Sequence, residues 1–227
     1  MKKYIYHIVI VLAALMVADS AWGQTARGTL PDPNELNEDL STGIYTLTKN
    51  YKPGSQRRWR VSGGRNVIVD LNGYTIDGVN IDRTIFNISS GTLTIIDSKG
   101  GGTIKNSTKS CFYVAPSSGA KSTLNFQGGT ILNCQPSDGN GGAMDIQPNG
   151  TVNMSGGTIT GCKGTSGAAV YVIGGTFNMT GGTITNNKVN AYKDWTPPTG
   201  TEALPTSNNT STTRGGGIYV ERSEGTR

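Results

Sequence analysis

Thr151-Val152-Asn153-Met154-Ser155-Gly156-Gly157-Thr158-Ile159-Thr160 is answered 25 residues later by Thr176-Phe177-Asn178-Met179-Thr180-Gly181-Gly182-Thr183-Ile184-Thr185. The two stretches keep every polar/apolar position, so one structural unit is repeated. Working outward, Gly-Gly-Thr-Ile also stands at Gly101-Ile104 and Gly128-Ile131, and the four copies are 27, 28 and 25 residues apart. The alternating segment before it recurs as Thr123-Leu124-Asn125-Phe126. A third segment completes the unit: Cys111-Phe112-Tyr113-Val114, Ala143-Met144-Asp145-Ile146, Ala169-Val170-Tyr171-Val172 and Gly217-Ile218-Tyr219-Val220. Three short strands per unit of about 26 residues, with Gly and Asn at the corners, predict an all-β parallel solenoid. In such a stack each coil pairs with the next at roughly 4.8 Å.

Period-two alternation converts that register into a predicted core. The inward stacks are Ile104/Ile131/Ile159/Ile184, Leu124/Val152/Phe177, Phe126/Met154/Met179, Phe112/Met144/Val170/Ile218 and Val114/Ile146/Val172/Val220, apolar throughout. An antiparallel sandwich, the competing reading, has no reason to keep a constant three-strand order. Composition agrees: 33 Gly in 227 residues and only 15% charged residues argue against long amphipathic helices and charge-driven disorder.

The N-terminal part reads differently. Lys2 and Lys3 precede an apolar run from Ile5 to Ala18, and Ala21-Trp22-Gly23 offers a small-residue cleavage site, so residues 1–23 read as a signal peptide. The expected mature chain is exported (secreted, periplasmic or at the cell surface) and has no transmembrane segment. Residues 24–42, rich in Pro, Asp and Glu, read as a tether, and 43–100 as an N-terminal cap with irregular first coils. Regular repeats then occupy 101–227, with a loop insertion at 186–214. After Val220 the unit stops before the next Gly-Gly-Thr-Ile strand. That ending predicts a truncated piece continued by further repeats, with end-to-end self-association as the other solution to an uncovered coil.

Several phrases carry a family resemblance. Val69-Asp70-Leu71-Asn72-Gly73-Tyr74-Thr75-Ile76, Leu93-Thr94-Ile95-Ile96-Asp97-Ser98 and the Gly-Gly-Gly-Ile-Tyr-Val ending at Val220 resemble exported bacterial right-handed parallel β-helix proteins, the pectin-lyase-like solenoids. The chain is loosely similar to polymorphic outer-membrane and adhesin-type repeats over roughly residues 43–227. The resemblance implies a right-handed helix and a protein that is either adhesive and structural or polysaccharide-degrading.

The residues bear on that choice. The one histidine, His7, lies in the leader, so a processed chain has no histidine for Ser-His-Asp or Cys-His catalysis or for zinc. Catalysis on this fold calls for converging acids, and between Gly100 and Asn190 the only acids are Asp138 and Asp145. Asp70, Asp77, Asp82 and Asp97 sit where turn aspartates bond their own backbone. The expected function is therefore a non-catalytic, surface-associated adhesin-like or scaffold module that binds glycans or other cell-surface material. The alternative is a fragment of a polysaccharide lyase or glycoside hydrolase. Neither a cofactor nor a metal is expected.

The candidate ligand-binding residues are Tyr113, Asp145, Tyr171 and Tyr219, one outward row, with Tyr192 and Trp195 on the insertion beside it. Aromatic faces suit sugar rings, and hydroxyls reach their polar neighbours. Arg57-Arg58-Trp59-Arg60 with Arg65 reads either as an anion grip or as a solvated loop, and the processed charge (18 basic against 14 acidic residues) does not point to nucleic acid. Cys134 and Cys162 share an offset from Gly-Gly-Thr-Ile and stack on adjacent coils. They read equally as a disulfide or as two half-buried thiols, while Cys111 falls in a column of small residues.

Overall fold

Thr-, Val- and Ile-rich segments of period two, broken by Gly and Asn, suit a pleated surface and not a helix. In the computed structural model every regular element among the described residues is a strand. The structure describes residues 26–31, 37–54, 57–79, 83–136, 140–189 and 217–221. The leader, Asp82, Asp138 and residues 190–214 of the insertion, with Tyr192 and Trp195, lie outside them.

The chain is a parallel β-solenoid of about 5 turns, successive turns about 27 residues apart. It has three long faces. The A sheet stacks Ala26–Gly28, Gly43–Thr46, Arg65–Asp70, Gly91–Ile96, Ser122–Phe126, Gly150–Met154 and Thr176–Met179. The C sheet stacks Thr75–Asp77, Thr103–Lys105, Thr130–Leu132, Thr158–Thr160 and Thr183–Thr185. The B sheet stacks Asn37–Asp39, Arg58–Val61, Phe86–Ile88, Phe112–Val114, Met144–Ile146, Val170–Ile173 and Ile218–Glu221. From Arg65–Asp70 onward the chain therefore runs A, C, B in each coil, the strand order read from the repeat, while the first two coils contribute strands to the A and B sheets alone.

Register follows the predicted stacks residue for residue. Ile131 pairs with Ile104 and Ile159, Val152 with Leu124 and Phe177, and Met144 with Phe112 and Val170. Inward side chains of the middle coils are fully buried. An aromatic column lines the inner face of the B sheet: Trp59 stacks on Phe86 at 5.2 Å and Phe86 on Phe112 at 5.4 Å. In-register parallel pairing puts like residues above one another, so each ring meets a ring.

Corners need a backbone that L side chains resist. Gly157, entering the C sheet, has φ +76°, and a Cβ there would lie 2.5 Å from a Phe126 ring carbon and 2.7 Å from the Gly129 carbonyl. Leaving the C sheet, Asn106, Asn133 and Asn186 take positive φ, the left-handed conformation Asn tolerates best among non-glycine residues. Asp70 and Asp97 act as turn acids: Asp70 Oδ1 accepts from the Asn72 and Ser98 N–H groups, and Asp97 from those of Gly73 and Gly102.

Two sequence expectations are corrected. Within segment 24–42, expected as a tether, the described residues join the stack instead: Ala26–Gly28 and Asn37–Asp39 pair in parallel with Gly43–Thr46 and Arg58–Val61. Leu30 and Leu40 are buried there, and the Tyr51 hydroxyl donates to the Leu30 carbonyl. Few apolar residues in a Pro-rich stretch sufficed to close the first coil. The second correction concerns cysteine: the disulfide joins Cys111 to Cys134, and Cys162 is a free, buried thiol. Cys134 and Cys162 do stack, the Lys163 N–H donating to the Cys134 carbonyl. Each sulfur, however, points to the carbonyl two residues before it, 3.6 Å away in both cases. The two side chains are translated copies facing the same way, whereas Cys111, at the other end of the preceding corner, faces Cys134.

Candidate functional site: the outer face of the B sheet

Alternation that turns Phe112, Met144 and Val170 inward turns Tyr113, Asp145 and Tyr171 outward, and parallel register lines them up. Tyr113 pairs with Asp145, Asp145 with Tyr171, and Tyr171 with Tyr219. The column continues in the other direction through Asn87, Arg60 and Asp39. Seven positions one strand spacing apart make a straight row of roughly 29 Å.

Its chemistry is graded. At one end Arg60 holds Asp39 through Nε at 2.6 Å and Nη2 at 2.5 Å, with Ser62 adding a hydrogen bond of 3.0 Å. The bond from Arg60 holds the Asp39 carboxyl below its ordinary range. At the other end the Tyr171 and Tyr219 rings stack at 5.8 Å, 19° from parallel, and the Tyr171 hydroxyl donates to Glu221 Oε2 at 2.7 Å. Tyr171 is only 7% exposed, so burial first and Glu221 second push its phenol well above the usual value. Between them, Asp145 accepts a 2.6 Å hydrogen bond from the Gln147 amide. Burial raises its carboxyl to about 6, and the Gln147 bond only partly offsets that. Burial and then the Asp145 charge raise Tyr113.

The structure thus brings four of the named candidates together, Tyr113, Asp145, Tyr171 and Tyr219. It assigns them unequal roles. Tyr171 is covered and serves as a support for Tyr219, whose ring is half-exposed. Gln147 and Glu221 were missed, although both stand two residues after a named member of the row, Glu221 at the next position on that side of its strand and Gln147 just past the end of its strand. The basic cluster does not form a stacking grip. Trp59 is fully buried and donates its indole N–H to the Pro31 carbonyl at 2.8 Å, and Arg60 is engaged with Asp39. Arg58 is lowered by burial and by the nearby Arg83 and Arg60.

On the A sheet the outward residues form an amide ladder. Asn178 Nδ2 donates to Asn153 Oδ1 and Asn153 Nδ2 to Asn125 Oδ1, both at 2.9 Å, and Asn125 Nδ2 donates to Thr94 Oγ1 at 3.3 Å. Among the described residues no group of three or more His, Cys, Asp or Glu side chains could hold a metal ion. Nor is any helix among them long and apolar enough to cross a membrane. Comparison with protein-family models, with curated proteins and with solved structures finds no match.

Proposed function

We propose that this protein is a non-catalytic, exported scaffold, adhesin-like and associated with a cell surface, that binds a glycan along the outer face of its B sheet. The observation supporting this reading is the straight outward row ending in the Tyr171–Tyr219 stack. A half-exposed Tyr219 ring, held flat by the ring beneath it, offers an apolar face to a sugar ring. Asp145, Gln147 and Glu221 on the same face supply the hydrogen-bonding groups that fix orientation. A row of this length suits a linear chain lying along the solenoid axis.

One observation favours the second reading, a polysaccharide hydrolase or lyase. Asp145, raised to about 6 by burial, shares a face with Glu221 two strands away, and two carboxyls on one face, one of them raised, are the groups acid–base hydrolysis uses. A polysaccharide binding array separates the two. Binding by the intact chain, reduced about tenfold or more by Tyr219→Ala with no new reducing or unsaturated ends released, supports the scaffold. Identical binding by both proteins would remove the tyrosine row from consideration, and product release abolished by Asp145→Asn would establish the enzyme.

A further inference from the structure

The two ends of the solenoid differ. At the N-terminal end Leu30, Leu40, Tyr51 and Trp59 close the core. At the other end Thr176–Met179, Thr183–Thr185 and Ile218–Glu221 each terminate a sheet, so among the described residues they pair on one side only. Their inward side chains form an apolar floor. Met179, Ile218 and Val220 are 43%, 40% and 66% exposed, while Met154, Val170 and Val172, their register partners, are 0%, 0% and 1% exposed.

We propose that this terminal coil is a docking site for an extended polypeptide segment of a partner that carries the coil's own pattern, Thr-apolar-Asn-apolar followed by Gly-Gly-Thr-Ile. The partner adds as one more parallel coil. Three observations identify it. First, the surface repeats, residue for residue, the upper face of the preceding coil. What occupies that face inside the molecule is a strand of this pattern, with Phe177 over Val152, Asn178 over Asn153 and Met179 over Met154. Second, the amide ladder has a direction: every Asn donates Nδ2 to the coil before it, and Asn153 accepts on Oδ1 from the coil after it. At Asn178 the Oδ1 is therefore the acceptor for a following amide, which specifies Asn at that place in the incoming strand. Third, the strands that end the three long sheets hold no Lys, Arg or Pro, the residues that usually block edge pairing, and Glu221 is their single charge. The coil's one edge Lys, Lys188, sits on the short strand Lys188–Val189 that pairs with Lys163–Gly164 apart from the three faces. Strand edges need alternating peptide donors and acceptors, which a polypeptide supplies and a hydrocarbon surface does not.

The probe is a synthetic peptide copying Gly150 to Thr160, added to the full-length chain, with hydrogen exchange read by mass spectrometry. The expected result is roughly tenfold slower exchange over residues 176–185, no effect from a scrambled peptide, and loss of the slowing in Asn178→Asp and Met179→Lys. Both variants alter exposed side chains and leave the inner coils intact, and unchanged exchange over residues 91–132 would verify that. Equal slowing by the scrambled peptide, or no slowing at saturating peptide, overturns the proposal. Slowing produced by raising the protein concentration without peptide also overturns it, assigning the face to a second copy of this chain.

Discussion

Ile159 and Thr158 are adjacent, yet Ile159 is fully buried between Ile131 and Ile184 while Thr158 faces outward. An aspartate at 159 would be an unpaired charge in an apolar stack, so Ile159→Asp is expected to cost about 4 kcal/mol or more, against within about 1 kcal/mol for Thr158→Asp. Urea unfolding of the two variants checks the register directly, and equal costs would mean the strand faces are reversed. Asp145 gives a pH test. Its native carboxyl is raised to about 6 from an ordinary 3.8, because burial penalises the charged form. A raised native pKa contributes stability that is complete below about pH 4 and is lost as pH rises through about 6. Asp145→Asn should remove that slope and exceed wild type at neutral pH by up to about 3 kcal/mol, as measured by denaturation midpoints across pH. Parallel pH profiles for the two proteins would show that Asp145 is not desolvated.

Among the elements, the corner between the C and B sheets carries the covalent tie. Cys111 and Cys134 are 23 residues apart in sequence, and closing a loop of that size restricts the unfolded chain by about 3 kcal/mol. Cys111→Ala should lower stability by that order. Non-reducing peptide mapping should find the Cys111–Cys134 link, with Cys162 alkylated only in denaturant. Burial protects that thiol in two ways, by excluding reagent and by raising its pKa to about 11. Rapid alkylation of Cys162 in the native protein, or a Cys134–Cys162 peptide, would contradict this corner.

For the whole molecule, a solenoid is close to one-dimensional, and each coil is stabilised by the coils on either side. The coils from Leu93 to Val152 have neighbours on both sides, whereas Thr176–Met179 and Thr183–Thr185 end their sheets. Amide exchange should therefore rise by at least about tenfold from the middle coils to the last one, and uniform protection along the stack would show a globally cooperative unit instead. The N-terminal end should exchange slowly despite its irregular sequence, because Leu30, Leu40 and Tyr51 close it.

Although the N-terminal core from Leu30 to Ile95 lay outside the predicted stacks, the repeat by itself determined the fold class, the strand order, and the register and inward residues of the regular coils from Ile104 to Val172. That was possible because a period of two decides which side of a strand each residue faces, and a period near 26 decides what lies above it. The same two periods placed Tyr113, Asp145, Tyr171 and Tyr219 in one row. Only the tertiary structure decided how those four differ. The cover over Tyr171, the Gln147 bond to Asp145 and the Glu221 carboxylate depend on side-chain directions between coils, which sequence periodicity does not carry. The disulfide was decided the same way: equal offsets stacked Cys134 on Cys162, but stacked copies point in the same direction, and Cys111 met Cys134 across the corner. Trp59, polar by its neighbours in sequence, was drawn inward because its register partner is Phe86.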